Sequence, residues 1–189
     1  MTTLVFATDP HLSDKAPASR TDDWLSTVIG KFDQVGQICR EVNADASIWG
    51  GDIFHLPEPS RTSHRLVNRL AQSLSLYPCE RYCNVGNHDC KYRDYKHLPD
   101  QPLETLFVSQ VFKRLYDEHE ADVWSGDPND STVRVVGIPF HGYKYDLDRF
   151  RIKKGDEDYL VAVAHVLASP KKASMFDNED VIQYSQLLE

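Results

Sequence analysis

Tyr82-Cys83-Asn84-Val85-Gly86-Asn87-His88-Asp89 is a short run of strand formers that breaks at a glycine into three side chains able to bind a metal or move a proton. It reads as a buried strand opening at its C-terminal end into a functional turn. The same pattern recurs on both sides. Leu4-Val5-Phe6-Ala7-Thr8 stops at Asp9-Pro10-His11, and Ala46-Ser47-Ile48-Trp49-Gly50 stops at Gly51-Asp52. Further on, Tyr159-Leu160-Val161-Ala162-Val163-Ala164 stops at His165. Four strand ends therefore carry Asp, Asn or His, and in α/β sheets such ends converge on one crevice.

Helical patterns lie between these strands. Asp22 and Asp23 precede an apolar stripe of Trp24, Leu25, Val28, Ile29, Phe32, Val35 and Ile38, which predicts a helix with an acidic cap. Ser60 is the expected cap of a second helix from about Arg61 to Leu76, with Leu66, Val67, Leu70 and Leu74 on one face and Pro78 closing it. A polar loop runs from Lys91 to Gln101, and Leu103 to Tyr116 has helical spacing. Ala121–Trp124 and Thr132–Ile138 read as strands around the turn-rich stretch Gly126–Asp130. The alternation predicts an α/β layered fold with helices flanking the sheet. The late strands, which lack long helices between them, predict mixed or partly antiparallel pairing. No linker or repeat divides the chain, so residues 1–189 are expected to form one domain.

The 189 residues are 41% hydrophobic and 26% charged, an ordinary globular composition. No apolar run approaches the roughly 18 residues of a membrane span, and the N-terminus lacks a basic leader, which predicts a cytoplasmic protein with reduced thiols. The net charge of -8 argues against a sequence-independent DNA coat and suits an enzyme whose clustered carboxylates receive cations. Cys79 and Cys83, with Cys90 beyond, leave a zinc site open as a reading, but the spacing is not a regular pair and partly buried thiols explain it more simply.

The residue types point to chemistry. Asp9 and His11, two apart on an extended segment, face the same side. Asp52, with two oxygens, suits a bridge between cations, and two cations about 3.5–4 Å apart can clamp a phosphate and activate water. Mixed Asp, Asn and His ligands favour manganese, iron or zinc over calcium. Among the other histidines, His55, His64, His97, His119 and His141 read as structural or solvent-facing, with His141 the best candidate for a site-edge role. The loop Lys91–His97 mixes bases with aromatics and suits either a stacking surface for single-stranded nucleic acid or a solvated loop.

Asp9-x-His11, Gly51-Asp52 and Gly86-Asn87-His88-Asp89, in this order, resemble the signature of the calcineurin-like metallophosphoesterases, and the resemblance covers the chain from Leu4 to His165. It implies two divalent cations, most readily manganese with iron or zinc as alternatives. Asp9 and His11 would hold the first, Asp52 would bridge, and Asn87 and His165 would hold the second. His88 would contact the substrate phosphate, as would Asn87, and would protonate the leaving oxygen, with Asp89 orienting His88. The implied reaction is phosphodiester hydrolysis by a hydroxide activated between the metals. Arg20-x-x-Asp23-Trp24, Gly51–Phe54 followed by Pro59-Ser60, and Val136–Pro139 further resemble the SbcD-type DNA repair nucleases. That branch implies a DNA substrate, an ATPase partner and a homodimer. A small-substrate phosphodiesterase or phosphatase is the alternative within the family, and a truncated, non-catalytic metal-binding fragment is the alternative outside it. The family also places a Gly-His-x-His after the last strand. No histidine follows His165 here, which predicts a C-terminally incomplete domain and leaves Asp177, Glu179 and Asp180 as weak oxygen donors.

Overall fold

The computed structural model describes residues 2–115, 122–124, 131–142, 146–170 and 181–187. Strands β1 (Leu4–Ala7), β2 (Ala46–Trp49), β3 (Glu80–Cys83) and β4 (Lys113–Arg114) form a parallel sheet in that order. Helix α1 (Trp24–Glu41) joins β1 to β2, α2 (His64–Ser75) joins β2 to β3, and α3 (Pro102–Val108) lies between β3 and β4. A second sheet holds β5 (Asp122–Trp124), β6 (Val133–Ile138) and β7 (Tyr159–Ala164), with β5–β6 antiparallel and β6–β7 parallel. A small parallel pair, β8 (Ala168–Ser169) and β9 (Ile182–Gln183), follows. The layered α/β architecture and the mixed late sheet match the sequence expectation.

Alternation along the central strands sorts the core into two layers. Trp49 and Cys83 face the helices and pack with Phe32, Leu70, Leu74 and Phe112. Ile48 and Tyr82 face the other way and pack with Leu115 and Val135, with Val161 and Val163 of β7 against them. The Phe32 ring stacks on Trp49 at 4.7 Å, pinning α1 to β2. Gly36 lets α1 close on Tyr77, since a Cβ there would stand 2.8 Å from the ring, and the Tyr77 hydroxyl donates to the Phe32 carbonyl at 2.6 Å.

Some local expectations are corrected. Asp23 caps α1 as expected, accepting from the Ser26 amide. The cap of α2 is Ser63, whose hydroxyl accepts from the Leu66 amide, while Ser60 sits in a short 3-10 turn, Pro59–Arg61. Pro59 starts that separate turn, and the true helix begins only after it. The helix expected from Leu103 to Tyr116 ends at Val108. Gln110 turns left-handed at φ 57°, and the apolar residues beyond it are buried by pairing β4 to β3. The loop after Asp89 is wound into short 3-10 segments, Lys91–Arg93 and Tyr95–Asp100.

Candidate metal centre

The site forms where β1, β2, β3 and β7 end. The exits of β1 and β2 are bent sharply. Asp9, His11 and Asp52 have φ of 51°, 45° and 51°, a left-handed backbone that ordinary side chains seldom adopt. These two exits are laced together: the Asp9 amide donates to the Gly51 carbonyl at 3.3 Å, His11 to Asp52 at 3.1 Å and Leu12 to Ile53 at 2.8 Å. Asp9 and His11 therefore converge through paired left-handed bends, not through the extended geometry inferred from their spacing. Ligand atoms of Asp9, His11 and Asp52 all lie within 4.8 Å of one another.

Gly51 and Gly86 make the close approach possible. A Cβ on Gly86 would lie 2.1 Å from Asp52 Oδ1, and one on Gly51, at φ 104°, would lie 2.6 Å from the Gly86 nitrogen. Asp52 is thereby buried between both flanks of the site. Its Oδ2 stands 3.5 Å from His11 Nε2, and its Oδ1 stands 3.5 Å from His165 Nε2 and accepts from the His88 amide at 2.8 Å.

His165 Nε2 also lies 3.0 Å from Asn87 Oδ1, and its Nδ1 lies 3.0 Å from the Gly50 carbonyl oxygen. A carbonyl only accepts, so Nδ1 carries a proton and Nε2 points at two oxygens. Such a cluster calls for a cation or an extra proton. Burial alone would lower the His165 pKa, but the hydrogen bond and charge of Asp52 outweigh it and raise it. Burial would raise Asp52, and the His165 bond and charge together with the His88 amide carry it below the ordinary carboxylate value. On the other flank, burial dominates and lowers His11, whose buried Nδ1 has no hydrogen-bond partner. Both flanks fit a divalent cation: oxygen and imidazole donors converge, and the His165 ring is oriented by a backbone carbonyl as ligating histidines are.

The turn after β3 is braced from within. Asp89 is buried, and its oxygens accept from the Gly86 amide at 2.9 Å and the Phe54 amide at 3.2 Å. Burial raises its pKa to about 7. The His88 Nδ1 lies 2.9 Å from the His55 carbonyl oxygen. The direct partner of the His88 ring is thus His55, while Asp89 braces the loop that carries His88.

The sequence model of the calcineurin-like phosphoesterases matches residues 2–186. The chain belongs to that family. The family is one of phosphoesterases, and the chain carries groups of residues that could hold a metal ion. The fold is similar to the solved structure of TT1561 of Thermus thermophilus, with a TM-score of 0.50 and 11% identity over 89% of this chain and 69% of that one. A dimetal phosphatase from Danio rerio gives a TM-score of 0.42 at 14% identity, over 71% of this chain and 43% of that one. The double-strand break repair protein mus-23 of Neurospora crassa is 32% identical over 81 residues, which is 41% of this chain and 10% of that protein.

The sequence candidates Asp9, His11, Asp52, Asn87, His88, Asp89 and His165 come together at one end of the sheets. The secondary cues have structural work. Arg20 pairs with Asp22 through bonds of 2.7 Å and lies 5.2 Å over the Trp24 ring. His141 Nδ1 meets the Pro139 carbonyl at 3.1 Å and Nε2 accepts from the Asp146 amide at 3.2 Å, a loop brace. His119, Asp177, Glu179 and Asp180 lie outside the described residues. The cysteines are unpaired thiols, and among the described residues the clusters suited to a metal contain none of them. His55, for which the sequence left open an approach to substrate but favoured a structural or solvent-facing role, stands beside His11 and His88 with ring centroids at 5.7 and 5.5 Å. Its position three residues after Asp52 was the available signal. An open cavity of about 350 Å³ flanks the centre, lined by Phe6, Asp9, Gly50, Val163 and His165 among others. No helix among the described residues is long and apolar enough to cross a membrane.

Proposed function

We propose that the protein is a metal-dependent nuclease of the SbcD type that hydrolyses phosphodiester bonds in DNA. The observation that carries the reading is Asp52, buried with one oxygen toward His11 and the other toward His165. Two divalent cations, manganese by preference, would be held by Asp9, His11 and Asp52 on one flank and by Asp52, Asn87 and His165 on the other, and when bound would supply Lewis-acid charge on the phosphate and acidify a water. The chain's residues do the rest. His88 reaches the substrate phosphate, with Asn87 beside it. The His55 carbonyl fixes the His88 Nδ1 proton, which aims Nε2 as the position from which a proton passes to the leaving oxygen. Asp89 locks the turn that presents both groups.

Two features favour DNA over a small ester. One is the local likeness to a protein named for double-strand break repair. The other is the segment that follows the turn: Tyr92 is 76% exposed, Lys91 Nζ lies 5.0 Å over its ring, and Tyr92 meets His97 edge-on at 5.3 Å, a surface on which bases can stack. An ATPase partner, a homodimeric assembly and a cytoplasmic location belong to the same reading. The cavity beside Asp9 and His165 favours the second reading, a phosphodiesterase or phosphatase for small substrates. Manganese-dependent turnover of a labelled oligonucleotide, bis-p-nitrophenyl phosphate and nucleotides side by side separates them. Cleavage of the small esters with the oligonucleotide left intact would refute the nuclease.

A further inference from the structure

We propose that His11, His55 and His88 form a third metal site, selective for imidazole-preferring transition ions such as nickel, whose occupation competes with the first catalytic position for His11. Ligand atoms of the three side chains all lie within 4.8 Å of one another, and the set contains no carboxylate. The ring centroids are 4.7 Å apart for His11–His88, 5.7 Å for His11–His55 and 5.5 Å for His55–His88. Backbone bonds fix this grouping. His55 donates its amide to the Leu12 carbonyl at 2.8 Å, continuing the lacing of the first two exits, and so stands next to His11. The same residue's carbonyl receives the His88 Nδ1 proton at 2.9 Å, which leaves the His88 Nε2 lone pair free. A ring nitrogen held on a backbone carbonyl, with the other nitrogen free, is the usual state of a metal-bound histidine.

The donor chemistry divides the ions. Three imidazoles suit nickel, copper and zinc, whereas the carboxylate and amide oxygens of the neighbouring flanks suit manganese. Metal–nitrogen bonds of about 2.0–2.1 Å would draw the three nitrogens to about 3–3.4 Å from one another, a contraction that all three rings share and for which the exposed His55 has the most room. An ion there ties up His88. It would therefore inhibit turnover if His88 acts as proposed above, a consequence that rests on that reading, while the binding itself does not.

Nickel titration of the metal-free protein by calorimetry provides the test, with His55→Ala, His55→Gln and Asp9→Asn as variants and thermal melting as the check on folding. The His55 ring is exposed and its backbone bonds survive the substitution. The expected result is tight nickel binding that weakens about tenfold or more in both His55 variants and persists in Asp9→Asn. Nickel affinity that survives loss of His55, that is lost with Asp9, or that is no greater than manganese affinity would each overturn the third site. Manganese-dependent hydrolysis, measured separately, reports on the proposed function alone.

Discussion

The two sheets contribute to the centre in opposite ways. The first sheet supplies every site residue but one, from three neighbouring strand exits with left-handed backbone at Asp9, His11 and Asp52. Among the described residues the second supplies His165 alone, from the end of the regular strand β7. The first set is held by short backbone bonds between loops, the second by packing and by Asn84. That buried side chain donates to Ile138 at 3.0 Å and to Val163 at 2.9 Å, tying β3 to β6 and β7. Local strain thus shapes one flank of the centre, and long-range registry places the other.

The largest effect expected of a single change is at Asp52, which faces both flanks. Asp52→Asn should reduce manganese-dependent hydrolysis by about a thousandfold or more, because charge is lost from both cation positions at once. Activity within tenfold of wild type would break the picture of a shared carboxylate. His88→Ala comes next. Loss of the proposed general acid should lower kcat by about a hundred- to ten-thousandfold, with manganese binding by calorimetry unchanged, because His88 lies outside the proposed manganese ligands.

A smaller effect probes the second sheet. Asn84→Ala removes both side-chain hydrogen bonds that join β3 to the second sheet and should cost about 1–3 kcal/mol in denaturant unfolding. It should also weaken the flank that needs His165 while Asp9 and His11 keep their lacing. Unchanged stability would show that the sheets are joined by packing alone. The smallest effect is on pH. In the metal-free protein the folded pKa of His165 is raised above its ordinary value and that of Asp89 is raised to about 7. Both groups hold a proton more tightly when folded. Their contribution is present at low pH and declines from about pH 4 for Asp89, then as pH rises through the raised His165 value. The depressed Asp52 acts oppositely, and only as pH falls below its ordinary value. The lowered His11 opposes this only below its ordinary value of 6.5, so the melting temperature of the metal-free protein should fall between about pH 6.5 and pH 8. Manganese should recover more of it at the upper end, where the cation replaces the proton on His165. A metal-free melting temperature that rises over this range would contradict the crowding of oxygens around His165.

The first flank was legible in the sequence because its residues sit within a few positions of strand ends, beside glycines that the close approach demands. Gly86 illustrates this: the residue that permits contact with Asp52 also punctuates the motif. His165 was legible from its place after a long apolar strand. What escaped depends on tertiary placement. His55 looked like one loop histidine among several until the Leu12–Phe54 bridge set it beside His11. The orienting partner of His88 is a backbone carbonyl, which no side-chain pattern records. The end of α3 escaped because Val111, Phe112 and Leu115 continue a helix-like spacing while being buried by the sheet and its surroundings.

The measurement that reaches furthest is electron paramagnetic resonance of the manganese-loaded protein. Two ions about 3.5–4 Å apart across Asp52 give an exchange-coupled signal, which should appear at two equivalents of manganese and be replaced by isolated-ion signals in Asp52→Asn. A wild-type spectrum of isolated ions only, at saturating manganese, would show that Asp52 does not join two cations.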